Sequence, residues 1–390
     1  MPTSIFPPAA PDSDVALADS LARWRALVEG ELKGVPFEKK LVTRTPEGIA
    51  LQPVYTRADL AGVPHLETMP GEAPFLRGGR TAGRGFRPWL IAQEIAAATA
   101  ADFNRALRAD LMAGQNAIVV RPDRASRAGS DPDEAPGDDI GADGISLADG
   151  DDFAAALDGA DLTAVPVFLA TGADPLPLTA LFLEYARSRG MAWSKMTGSV
   201  TADPLAAWAE SGRLTVQLDD AYDSLAGWTA WVETYLPALK TIGVSVVHWH
   251  NAGATAVQEL AFALATAAEY MRALSTRDVS AAQAAARTEF EFAVGPQFFM
   301  EVAKFRALRL LWTRVVAALH GDPAVAALAR VRAVTGRTDK SQLDPHVNLL
   351  RATTQALSAV LGGCDGLHIG AFDEVTGATT DFSRRIARNL

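Results

Sequence analysis

Cys364 is the only cysteine in this 390-residue chain, which excludes an internal disulfide and any cysteine-based metal cluster. A single thiol fits a reducing, cytoplasmic setting. Its place directly after Gly362 and Gly363 reads as a small buried residue, not a nucleophile. No apolar run reaches the roughly 18 residues that a membrane-spanning helix needs, and mean hydropathy is only +0.08, so no membrane partner is expected. The opening MPTSIFPPAAPDSD has no basic stretch ahead of an apolar core and does not read as a secretory signal. Positive charge is also short: 36 Lys and Arg face 46 Asp and Glu, for a net charge of −10. An acidic surface disfavours nucleic acid as a partner. No GxGxxG or GxxxxGK[ST] follows an early strand, and GxSxG, HExxH and paired-carboxylate motifs are missing. These absences remove the usual support for a nucleotide-binding sheet, a serine hydrolase or a zinc protease.

What is present is a large apolar fraction, 49% of residues, arranged in two styles. Residues 1–95 are punctuated by proline and glycine, from Pro7-Pro8 to Pro88. Long regular elements are not expected there, and the stretch reads as an N-terminal arm. One segment differs. Val15, Leu17, Leu21, Trp24, Leu27 and Val28 recur at helical spacing and predict an amphipathic helix over 14–33, capped by Ser13 or Asp14. Such a helix needs an apolar partner, either the same chain's barrel or another subunit.

From residue 96 onward, Ala- and Leu-rich helical stretches alternate with short β-branched runs. Strands are expected at 117–121, 144–147, 165–170, 195–200, 244–248, 289–294, 330–334 and 366–370. Eight strands alternating with helices predict an α/β fold, a (β/α)8 TIM barrel over 96–390; a doubly wound open sheet is the alternative. Residues 124–152, rich in Asp, Gly, Ala and Ser, read as a solvated excursion. Their carboxylates lack the spacing of a calcium loop.

Chemistry in a barrel collects at the C-terminal ends of strands. The richest end here is the run Val246-Val247-His248-Trp249-His250-Asn251. If the strand continues that far, His248 and His250 share a face. Two histidines without a third ligand make a poor metal site. A polar rim at the mouth and a histidine held by a backbone partner both remain open. Further polar residues, Arg332, Arg337, His368 and Glu374, lie near other strand ends.

Several motifs, in order along nearly the whole chain, resemble the methylmalonyl-CoA mutase family. They are LVTRTPEGI at 41–49; Pro70-Gly71 with Pro74-Phe75-Leu76-Arg77-Gly78; Phe86-Arg87-Pro88-Trp89; His248 followed by Asn251-Ala252-Gly253-Ala254; and FFMEVAKFRALRLLW at 298–312. The resemblance implies a (β/α)8 barrel that threads acyl-CoA along its axis beneath a cobalamin-binding domain. The implied reaction is the adenosylcobalamin-dependent interconversion of methylmalonyl-CoA and succinyl-CoA. It places substrate-binding roles at Arg87, His248 and Arg287, all present.

Other positions depart from the family. The tyrosine beside the reacting carbon is Glu94, the glutamine of the TIQND strand end is Thr201, the carboxylate-clamping arginine is Ser211, and the tyrosine before the histidine is Val247. Serine cannot replace bidentate arginine recognition of a carboxylate, and an anionic Glu94 opposes an anionic substrate. The pocket is therefore expected to offer a short dicarboxylic thioester no cationic anchor, and catalytic residues are not expected. No DxHxxG occurs, so adenosylcobalamin is expected in a complex and not on this chain alone. The expectation is a non-catalytic small subunit whose arm wraps a catalytic large mutase subunit in a heterodimer. The alternative is a catalytic barrel for another acyl-CoA, served by a cobalamin domain on a separate chain.

Overall fold

A computed structural model describes residues 14–82, 85, 88–319, 321–377 and 379–390, with side chains from residue 17 onward. Two compact units divide between Glu67 and Thr68. In the first, the expected helix runs Asp14–Glu31 and a short one follows at Phe37–Leu41; Ser13 lies outside the described residues. The Trp24 ring meets Phe37 edge-on at 6.1 Å, and the Arg25 guanidinium sits 4.4 Å above the Phe37 ring. The helix thus finds an apolar partner within its own unit, while Leu27 stays 71% exposed.

The second unit is a (β/α)8 barrel. Its strands are β1 (Leu90–Ile91), β2 (Ile118–Val120), β3 (Val167–Gly172), β4 (Gly198–Ala202), β5 (Leu239–Ser245), β6 (Thr288–Val294), β7 (Arg330–Thr335) and β8 (Gly366–His368). All pairings are parallel, and β8 returns to pair with β1. The remaining seam, β1 to β2, is closed by Asn116. Its amide N–H donates to the Ile91 carbonyl at 3.3 Å, and its side-chain oxygen accepts the Ile91 N–H at 2.7 Å.

Alternation along the strands sorts side chains into two layers. Ile242, Val244, Phe290, Phe292, Val331 and Ala333 face outward and pack with Leu260, Phe305, Leu308 and Trp312 of the surrounding helices. Their neighbours in sequence, among them Glu289, Glu291, Arg330 and Arg332, face the lumen. Close approach fixes one glycine of the segment leading into β1: a Cβ on Gly79 would lie 2.3 Å from the Ala327 carbonyl oxygen.

Six expected strands match β2, β3, β4, β6, β7 and β8 to within a few residues. The stretch 144–147 forms only a single bridge, Ile145 to Pro122. β1 takes its place in the barrel. It is two residues long and lies just after Pro88, so it carries no periodic signal. The strand expected at 244–248 ends at Ser245, and Val247–Asn251 form a helix. Cys364 is fully buried, as its setting suggested. Among the described residues no helix is long and apolar enough to cross a membrane.

Candidate functional site at the barrel mouth

Three strand ends build the mouth. Arg121 follows β2, and the helix Arg124–Ala128 begins three residues later, capped by Asp123. The Asp123 carboxylate accepts the Ser126 N–H at 2.8 Å and the Gly141 N–H at 2.7 Å. Beyond β4, Asp203 caps the helix Pro204–Ser211. It also accepts the Ser245 N–H at 2.7 Å and the Tyr270 hydroxyl at 2.5 Å, which ties the ends of β4 and β5 together. Burial pushes the Asp203 carboxyl up to about 6, against the opposing pull of these donors. Beyond β5 comes the helix bearing His248.

Between these ends lies a cavity of about 960 Å³, lined by Arg121, Arg127, Glu210, Ser211, Val247 and His248 among others. A second, of about 560 Å³, is lined by Glu94, Arg121, Val247, Glu291, Arg337 and His368 among others. Arg121 and Val247 line both.

The charges here are unevenly satisfied. Arg124 pairs with Asp143 at 2.6 Å. Glu210 lies 3.6 Å from Arg127 and 3.8 Å from His248, beyond hydrogen-bond distance of either. The Arg127 Nε and both ring nitrogens of His248 are buried without hydrogen-bond partners. Burial lowers the His248 pKa, with Glu210 opposing. Burial also pushes the Glu94 carboxyl up, but His368, Arg121, Arg332 and Arg337 together outweigh it and hold the group below its ordinary value.

The axis beneath the mouth is crossed by side chains. Phe168, on β3, has Arg332 at 4.7 Å and Arg330 at 5.2 Å from its ring centroid. β3 and β7 are four strands apart in a closed eight-stranded sheet, so this contact spans the lumen. Glu289 on β6 reinforces it, accepting from Ser199 on β4 at 3.0 Å and pairing with Arg330 at 3.1 Å. One layer higher, Glu291 pairs with Arg332 at 3.2 Å and accepts from Ser245 at 3.1 Å.

The residues singled out from sequence are only partly gathered here. Ser211, Val247 and His248 line the larger cavity, and Glu94 and Val247 the smaller. Ser211 is exposed, with its hydroxyl donated to the Ala207 carbonyl at 2.7 Å. Thr201 sits on β4 with its side chain about 3.1 Å from where a Cβ on Gly243 would stand. Arg287 precedes β6 at the opposite end of the barrel. It is buried against Glu233 at 2.6 Å and donates to the Leu239 carbonyl at 2.9 Å, so it is not brought together with His248. Arg87 lies outside the described residues.

His248 and His250 do not share a strand face, because both are helical. His250 turns into the wall, where Glu259 lies 2.8 Å from its Nδ1. Lys304 in turn holds Glu259 at 2.8 Å and Glu301 at 2.7 Å.

Sequence reasoning missed Arg121, Arg124 and Arg127 as a mouth cluster, although their three-residue spacing directly after a strand was a usable signal. It also expected a pocket with no cationic anchor. The resemblance puts the clamp at Ser211; guanidinium groups reach the mouth from the end of β2.

Residues 44–390 match the family profile described as methylmalonyl-CoA mutase. The chain belongs to the methylmalonyl-CoA mutase family. It is 36% identical over 94% of its length to a methylmalonyl-CoA mutase of Rhizobium meliloti, covering 51% of that protein. It is 33% identical over 95% of its length to one of Escherichia coli, covering 52%. With a protein named methylmalonyl-CoA mutase large subunit in Streptomyces virginiae, identity is 34% over 95% of this chain and 50% of the relative. The chain thus spans about half the length of the curated relatives it matches.

Cobalamin is the cofactor of this family. At the mouth, Glu259 lies 2.8 Å from the Nδ1 of His250. His368 accepts the Glu94 N–H at 3.1 Å. The nitrogens of His248 are buried below the rim. Among the described residues no cluster of three His, Cys, Asp or Glu is arranged to hold a metal ion.

Proposed function

We propose that this barrel is the non-catalytic, small-subunit-type component of a methylmalonyl-CoA mutase, a scaffold for a catalytic large subunit that carries adenosylcobalamin and turns over acyl-CoA. The observation that carries this reading is the crossed lumen. A thioester arm threaded along the axis must displace the contact of Phe168 with Arg330 and Arg332, together with the Glu289 bridges beneath it. Separating these groups leaves buried charges unpaired, at a cost of several kcal/mol. The departures at Glu94, Thr201, Ser211 and Val247 support the same reading. The alternative, a catalytic barrel for another acyl-CoA, needs an open axis, and the same contacts weigh against it.

The test is to purify the chain alone and with its candidate large subunit. The chain alone is expected to show no binding of succinyl-CoA by calorimetry and no isomerisation when supplied with adenosylcobalamin and a separate cobalamin-binding protein. With the large subunit it is expected to form a stable complex that isomerises. Micromolar binding of succinyl-CoA to the isolated chain, or turnover without the large subunit, overturns the proposal.

A further inference from the structure

Buried polar groups in folded proteins are nearly always hydrogen-bonded, so those that are not call for an occupant. At the mouth such groups converge. The Arg127 Nε and the two nitrogens of His248 are buried and unpartnered, and both residues line one cavity of about 960 Å³. Arg121 lines the same cavity, and no hydrogen bond or ion pair to its guanidinium occurs among the described residues. Arg121 and Arg127 stand close enough that burial and the Arg121 charge both disfavour protonation of Arg127. Glu210 and Asp143 line the same cavity and, against burial and together with Glu94 and Glu291, favour the Arg121 charge; neither pairs directly with its guanidinium, whose planar fork matches the two oxygens of a carboxylate.

Glu210 sets the second requirement. It stands between Arg127 and His248 at 3.6 and 3.8 Å, too far to hydrogen-bond either, and an anion beside it must bring it a donor. Trp249, Leu214 and Ala252 supply apolar wall. The lumen below is crossed, so the ligand is held within the mouth and extends no arm along the axis.

We propose that this cavity binds a small hydroxycarboxylate, its carboxylate on Arg121 and Arg127 and its hydroxyl donated to Glu210. Ser211, where the family resemblance puts the carboxylate clamp, takes no part. The site is independent of the scaffold role and is read on the isolated chain, so either idea can fail alone.

The experiment is calorimetry on the 390-residue chain at constant ionic strength with malate, succinate and inorganic phosphate as probes. Malate is expected to bind at submillimolar Kd, at least tenfold tighter than succinate, which lacks the hydroxyl, and tighter than phosphate. Arg127→Gln weakens malate at least tenfold, while Arg272→Gln, on an exposed helix face, leaves it unchanged. Glu210→Ala keeps carboxylate binding and brings the malate-to-succinate ratio towards one, which keeps the test alive should Arg127→Gln fold poorly. No malate binding below 10 mM overturns the proposal. So do succinate binding as tightly as malate, phosphate binding more tightly than malate, or a ratio untouched by Glu210→Ala.

Discussion

Phe168 meets Arg330 and Arg332 from the far side of the barrel, so one aromatic ring holds two cations in place where many barrels stack aliphatic layers. Truncating it removes the ring from a fully buried position and withdraws the face over which both guanidiniums lie. Phe168→Ala is expected to destabilise the chain by about 3–5 kcal/mol, measured by urea unfolding.

Glu94 makes a different point. Against the upward push of burial, His368 and the guanidiniums of Arg121, Arg332 and Arg337 hold its pKa below the ordinary carboxyl value. Its stabilising effect is therefore present above the unfolded-state value, about 4.3, and is lost as pH falls through the lower folded value. Glu94→Gln is expected to melt below wild type at pH 7, with the gap closing as pH drops under about 4. Thermal unfolding of the two proteins across that range checks it. An unchanged gap at low pH would show that shape, not charge, fixes this position.

At the scale of elements, legibility followed local composition more than length. Apolar or β-branched runs bounded by turns were readable, from the short β2 and β8 to β3, β6 and β7. β1 was not, because Leu90 and Ile91 are held by pairing with β8 and by Asn116, partners distant in sequence. His248 was correctly placed at a strand end but on the wrong element. The run before it is apolar through Val247, and nothing local marks Ser245 as the last strand residue. The His250–Glu259–Lys304–Glu301 chain was likewise invisible, since its members come from three helices.

That chain makes a firm prediction about how the helices grip the wall. Lys304 is 2% exposed and holds two carboxylates and the Ala293 carbonyl at 2.8 Å. Removing its charge leaves Glu259 and Glu301 facing each other in a dry site. Lys304→Met is expected to cost about 3–5 kcal/mol, most of it recovered when Glu259 and Glu301 are also made Gln. A double-mutant cycle in denaturant reads the coupling directly.

At the scale of the whole molecule, the family framework and the filled axis pull in different directions. The outer layer keeps what an eight-stranded barrel needs: apolar strand faces under helices, and closure of every seam. The inner layer carries cross-lumen contacts that join β3, β4, β6 and β7.

Hydrogen exchange distinguishes a filled axis from an open one. Strand amides shielded by the cross-lumen contacts are expected to exchange only through opening of the barrel as a whole. A thioester that does not bind the native barrel leaves those rates unchanged, because a ligand stabilises only the state it binds. With 1 mM succinyl-CoA, peptides covering β3, β4, β6 and β7 are expected to exchange at the same rates as in its absence. Slower exchange in all four strands that persists in Arg127→Gln, where the mouth is impaired, would mean that the axis itself opens to the thioester.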